Sequence, residues 1–146
     1  MTSIKAEGSN VEIQFPASPA RLGDLRQTVR SGLRGQIRDD DLDDLLLALH
    51  EATTNAVLHG SEGGSAVDVA VHLEDGWAEA TVLDRGSSQS ANPDRDEEEQ
   101  LSGSEEPLLS GRGLWLMGRL VDEVRLERVA PRGTRVTLRR RIRIEA

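Results

Sequence analysis

Hydrophobic spacing divides the chain into stretches of period 2 and stretches of period 3.6. Val11, Ile13 and Phe15 alternate with Glu12 and Gln14 and are followed by Pro16, which predicts a first strand over 11–15. Ser18-Pro19-Ala20 then offers an N-cap with proline at the first helical position, and Leu22, Leu25, Val29 and Leu33 recur at helical spacing before Gly35. Residues 39–59 are the most regular helical stretch. Leu42, Leu45, Leu46, Leu49, Thr53 and Ala56 form one stripe there, and Gly60 stands just past the end. Residues 66–73 and 77–83 read as strands joined by the turn Glu74-Asp75-Gly76. Residues 114–121 read as a helix, and 124–129 and 134–144 as two closing strands joined through Ala130-Pro131-Arg132-Gly133. Strands clustered as hairpins around three helices predict an α+β, two-layer sandwich, with a mixed, mainly antiparallel sheet and helices on one face.

One stretch has no period. Residues 87–110 carry Asp94, Asp96, Glu97, Glu98, Glu99, Glu105 and Glu106 against Arg95, among Ser, Pro and Gly, and read as a long acidic loop within one domain over 1–146. They hold most of the chain's formal net charge of −8, which opposes nucleic acid and anionic membrane as partners. There is no cysteine, so disulfides, thiolate metal sites and cysteine nucleophiles are excluded, and a reducing cytoplasm is the expected setting. The longest apolar run, Leu45 to Leu49, is too short to span a bilayer, and the first residues lack the apolar core of a signal peptide. Near the C-terminus the charge inverts. The last strand puts Val136, Leu138, Ile142 and Ile144 on one face and Thr137, Arg139, Arg141 and Arg143 on the other, a solvated face or a meeting place for an acidic partner. Trp77 and Trp115 are expected to be packing residues.

Three places carry candidate chemistry. Glu51 and Asn55 lie four apart on a helix and so share a face, opposite the Leu45, Leu49 and Ala56 stripe, along with Leu47 and Ala48. Leu58 shares this face too, so the helix is expected to be covered on both sides. Glu51 and Asn55 are either a solvated pair or a functional pair roofed by a ligand or lid; asparagine competes for the backbone and needs a reason to sit within a helix. Asp84-Arg85-Gly86 follows a strand directly: an ordinary turn, or a carboxylate that accepts a hydrogen bond from an exocyclic amine beside a glycine that lets a flat ring approach. Gly111-Arg112-Gly113 precedes the Leu114 helix, as a flexible joint or as an anion site of exposed N–H groups.

Taken in order, Glu51-x-x-x-Asn55, Asp84-x-Gly86, a long loop, Gly111-x-Gly113-Leu114 and Gly133-Thr134 resemble the GHKL (Bergerat-fold) ATP-binding domain from about Val11 to Ile144. That domain is shared by histidine kinases, type II topoisomerases, a group of heat-shock chaperones and bacterial anti-sigma-factor serine kinases. Glu51-Ala-Thr-Thr-Asn-Ala-Val-Leu-His-Gly is especially similar to the last group. The resemblance implies ATP and Mg²⁺ as cofactors. Asn55 would ligate Mg²⁺ between the phosphates and Glu51 would be the general base. Asp84 would bind the adenine amine, with Gly86 beside the ring and Thr134 in support. Gly111, Arg112, Gly113 and Leu114 would lie on the phosphate side, with the acidic segment as an ATP lid.

Size narrows the expectation within that superfamily. The 38 residues ahead of the long helix leave no room for the dimerisation hairpin of a sensor kinase, and no transducer domain follows. The expected function is therefore an ATP-dependent protein serine kinase and anti-sigma factor. Such a protein would phosphorylate a STAS-type antagonist, sequester a sigma factor and possess the homodimeric habit common in that group. The alternatives are a nucleotide-gated protein-binding module with little or no turnover, and a structural domain whose motifs coincide by chance. The acidic lid, which opposes a triphosphate, is the feature that favours the binding module.

Overall fold

The computed structural model describes residues 3–16, 22–57, 66–84, 111–129 and 133–142. Six strands, β1 (Ser3–Glu7), β2 (Asn10–Pro16), β3 (Ala66–Glu74), β4 (Trp77–Asp84), β5 (Glu123–Arg128) and β6 (Thr134–Arg141), form one sheet in the order β1-β2-β3-β4-β6-β5. Every pairing of these strands is antiparallel, so the parallel component of the expected mixed sheet is missing from the described strands. Two tight turns need left-handed backbone: Gly8 between β1 and β2, and Asp75-Gly76 between β3 and β4, where both residues have φ > 0.

The register turns the sequence alternation into rows across the sheet. Val11, Val71, Ala80, Leu138 and Val124 are successive partners, as are Ile13, Val69, Val82, Val136 and Leu126. These rows face three helices, α1 (Leu22–Leu33), α2 (Asp39–Asn55) and α3 (Gly111–Leu120). Leu25, Val29 and Leu33 of α1, Leu42, Leu45 and Leu49 of α2, and Met117 of α3 close the core over them. Each such side chain contributes about 1.5–3 kcal/mol by leaving water. Helix α1 comes close to β2 because Gly32 has no side chain: a Cβ there would stand 2.5 Å from Val11 Cγ2. Gln36 then ties the end of α1 to the first turn, donating to the Gly8 and Gly32 carbonyls while accepting from the Ser9 hydroxyl.

Several boundaries differ from the sequence expectation. Strand β1 was not anticipated: it is an edge strand whose apolar residues Ile4 and Ala6 remain exposed, so its alternation is weak. Helix α2 ends at Asn55, and Ala56 and Val57 continue in a wider π-type turn; His59 and Gly60 lie outside the described residues. Helix α3 begins at Gly111, three residues before the expected start, so the Gly-x-Gly stretch is its first turn rather than a joint ahead of it. Trp115 is not a packing residue: it is 63% exposed on the outer side of α3, with the Arg119 guanidinium 5.4 Å from its ring centroid. Ser18-Pro19-Ala20, the acidic segment 87–110, Arg143 and Ile144 fall outside the described residues.

The other face of the sheet is polar and largely paired within itself. Arg139 stacks on Trp77 and bridges Glu79 and Glu123, Arg141 also stacks on Trp77, and Arg135 pairs with Glu127. The arginines of β6 are thus matched by neighbouring carboxylates and an indole, which leaves little unbalanced charge to recruit an acidic partner.

Candidate functional site

Asp84 ends β4 and Thr134 begins β6, and the register makes them direct partners. Both share the strand parity of Val82 and Val136, so they lie on the helix-facing side, in the row that continues through Val67 to Phe15. Both are buried, at 5% exposure each, among apolar side chains. A carboxylate and a hydroxyl brought together at the rim of an apolar layer suit a flat apolar ligand with an amine at its edge. Gly86 lies outside the described residues. A shallow depression of about 540 Å³ between Lys5, Glu12, Asp68 and Arg135 lies on the opposite face of the sheet and has no part in this pair.

Helix α2 lies across β4 and β6 and supplies the second element. Its Leu45, Leu49 and Thr53 side chains are buried, and the Thr53 hydroxyl donates back to the Leu49 and His50 carbonyls at 2.9 and 3.1 Å. Ala48, Ala52 and Asn55 are buried as well. These residues flank the Leu45–Leu49 stripe and widen the buried side of the helix, which also packs on α3. The opposite face is not covered among the described residues: Leu47 on it is 45% exposed. Glu51 is half-buried one turn before Asn55.

Asn55 is the unusual residue of the group. Its amide Nδ2 is buried without a hydrogen-bond partner, and so is the hydroxyl oxygen of the adjacent Thr54. Buried donors without partners are rare and costly in a finished core. At the end of a helix that opens into a π-type turn, they make this place a candidate for a ligand. Thr54 was not among the sequence candidates; its adjacency to Asn55 was the only signal for it.

The third element is α3. Its first turn is Gly111-Arg112-Gly113-Leu114, and the N–H groups of a first turn have no partners within the helix. The structure describes the backbone of these four residues and not their side chains. Asp84, Thr134, Asn55 and the start of α3 thus come from four elements of one layer boundary. The segment expected as a lid joins two of these elements, β4 and α3, and lies outside the described residues.

This fold, with these residues at the ends of its strands and helices, is that of the histidine kinase-like ATPase domain, whose family profile matches residues 15–140; the chain belongs to that family. Among curated proteins it is 31% identical to the serine-protein kinase RsbW of Halalkalibacterium halodurans over 123 residues, covering 80% of this chain and 75% of that protein. It is 35% identical to the anti-sigma F factor of Geobacillus kaustophilus over 107 residues, covering 70% of this chain and 71% of that protein. A crystal structure of the RsbU and RsbW domains of a Mycobacterium tuberculosis protein superposes with a TM-score of 0.68 at 25% identity. That match covers 94% of this chain but 33% of the longer one. Among the described residues, no helix is long and apolar enough to cross a membrane.

Proposed function

We propose that this chain is an ATP-dependent protein serine kinase that acts as an anti-sigma factor in the cytoplasm, phosphorylating a STAS-type antagonist and sequestering a sigma factor, and working as a homodimer. The observation that carries the reading is the buried, unpartnered Asn55 Nδ2 on a helix that packs on β4 and β6, the strands that carry the Asp84–Thr134 pair. The names of the relatives, a serine-protein kinase and an anti-sigma factor, support the choice of phosphoryl acceptor and partner.

In this reading Asp84 accepts a hydrogen bond from the adenine amine, and Thr134 beside it holds the polar edge of the base. The N–H groups of the first turn of α3 face the phosphates. Asn55 suits a magnesium site through its side-chain carbonyl oxygen, a hard ligand for a cation that keeps most of its water, while its unpartnered Nδ2 is a donor free to meet a phosphate oxygen. Bound there, Mg²⁺ would neutralise charge on the phosphates. Glu51 takes the proton of the attacking serine hydroxyl as its oxygen bonds to the γ-phosphorus, and ADP leaves with the electron pair of the broken P–O bond. Catalysis on this plan is positioning and charge neutralisation, for which three elements fixed on one sheet are suited.

The test is transfer of labelled γ-phosphate from Mg²⁺·ATP to a serine of a STAS-type antagonist. Labelled phosphoserine is the expected result. Tight ATP binding without transfer would instead favour the nucleotide-gated binding module, and absence of ATP binding would end both readings.

A further inference from the structure

The sequence alternation gave no role to Arg140, although it stands between Leu138 and Ile142 at the parity of the core face. Its partner across β4 is Ala78, which leaves room above the sheet for a guanidinium. From there it reaches three groups on two helices. Nη2 and Nε donate to Asp41 Oδ1 at 2.7 and 3.2 Å, and Nη2 lies 3.1 Å from Asp44 Oδ2, both acids on the first turns of α2. Nη1 donates to the Leu120 carbonyl at 2.7 Å.

Leu120 is the last residue of α3, and its carbonyl is among those the helix itself cannot satisfy. The exit of α3 is stitched to β6 on both sides of the same residue. The Asp122 N–H donates to the Arg139 carbonyl at 2.9 Å, and the Arg141 N–H donates to Asp122 Oδ2 at 2.7 Å. The C-terminal end of α3 is therefore fixed at the N-terminal end of α2, and the two packed helices run antiparallel. Lengths then decide where the other end of α3 falls. About 14 Å of helix separate Leu120 from Gly111, and the same distance along α2 from Asp41 arrives beside Glu51. Asp41 to Asn55 spans about 21 Å of helix, and Arg140 to Thr134 about 20 Å of strand, so one anchor sets α2 and α3 against the full length of β6.

We propose that Arg140 is a positioning residue: by holding the Leu120 carbonyl and the Asp41 and Asp44 carboxylates together, it aims the first turn of α3 at the phosphates of a nucleotide bound beside Glu51 and Asn55. The proposal rests on the ATP-site reading above and adds the element that aligns it. Arg140 touches no part of the nucleotide. Its influence falls on the phosphate end of the site and spares the adenine end, which β4 and β6 build through Asp84 and Thr134.

The experiment compares Arg140→Met and Arg140→Lys with the unaltered chain at a temperature where circular dichroism reports all three folded. Calorimetry with Mg²⁺·ATP and Mg²⁺·ADP should report affinities weakened about tenfold in Arg140→Met, while adenosine, titrated by NMR, should bind as before. A purely structural role would weaken all three ligands together, and that result, or unchanged ATP affinity, overturns the proposal. Arg140→Lys keeps the charge but loses the fork, and should restore part of the ATP affinity. If Arg140→Met does not fold, Arg140→Lys alone must weaken ATP and spare adenosine. A second readout needs no nucleotide: in the ligand-free protein, amide exchange over 116–121 should quicken in Arg140→Lys relative to β3. Unchanged exchange there overturns the anchor itself. An unaltered chain that binds no ATP, with the exchange effect present, removes the nucleotide-site reading and with it the aiming role, and leaves the anchor alone.

Discussion

The two ends of α2 bury polar side chains to nearly the same depth and treat them in opposite ways. At the first turn Asp41, 8% exposed, accepts two hydrogen bonds from Arg140, whose Nη1 caps α3. At the last turn Asn55, 7% exposed, keeps an amide nitrogen with no partner among the described residues. A buried ion pair whose three guanidinium nitrogens all have partners holds elements together, and removing one member leaves the other charged and poorly matched. A buried amide with an idle donor stabilises nothing in the ligand-free protein, and its cost is recovered only when something binds. The comparison contrasts two uses of buried polar groups along one helix: the matched end locates the helix, and on the proposed reading the unmatched end receives a ligand.

The largest effect expected is on chemistry at the unmatched end. Glu51→Gln should lower phosphoryl transfer by about a hundredfold or more, while Mg²⁺·ATP affinity in calorimetry stays within about twofold. Transfer at the normal rate in that variant would remove Glu51 from the role of base. Next comes stability at the matched end. Asp41→Ala strands two guanidinium donors, and partial exposure of the pair and the nearby Asp44 temper the loss, so about 2 kcal/mol is expected. Urea unfolding should show it as a lower midpoint at unchanged slope. A midpoint equal to that of the unaltered chain would mean that Arg140 does not hold α2.

The two ends were not equally legible in the sequence. Glu51 and Asn55 were singled out because their i, i+4 spacing puts them on one face of a helix together with Leu47 and Ala48, and the order of the later motifs then supported them. Four of the six strands, β2, β3, β4 and β5, were read to within about two residues, because alternation and hairpin turns are local signals. For β6 the start was read correctly and the end set too late, since Arg143 and Ile144 continue the alternation beyond Arg141. The placement of β6 between β4 and β5 is a long-range pairing that no local pattern encodes. Gly32 resembles any glycine near a helix end, and only its closeness to Val11 gives it a role. Arg140 carried a faint signal, a charge at core parity within a run of three arginines, and its partners lie far away in sequence on α2 and α3. Matched polar groups are hard to read because each depends on a partner elsewhere in the chain, whereas a ligand site repeats local chemistry.

A smaller effect sharpens the picture of the adenine end. Asp84→Asn exchanges one acceptor oxygen for a donor beside Thr134, and should weaken ATP and adenosine alike by about 1–2 kcal/mol. This equal loss is the complement of the phosphate-selective loss expected for Arg140. Calorimetry showing unaltered affinity for both ligands would take Asp84 out of the site.

The smallest effect expected is the one that tests the comparison most directly. Asn55→Ala removes a buried amide whose Nδ2 makes no hydrogen bond, and alanine is the better helix former by several tenths of a kcal/mol. Against this stands the small void left by the lost atoms, so stability in urea should stay within about 0.5 kcal/mol of the unaltered chain or rise slightly. In the same variant Mg²⁺-dependent binding of ATP should fall while adenosine binding is kept, because the amide serves the metal and phosphates rather than the base. The paired measurements carry the argument: equal burial at Asp41 and Asn55 predicts equal loss, whereas matched and unmatched polar groups predict loss at one end only. A fall of about 2 kcal/mol for Asn55→Ala, equal to that for Asp41→Ala, would mean that Asn55 is a structural residue held by the fold, and the ligand reading of its idle donor would go with it.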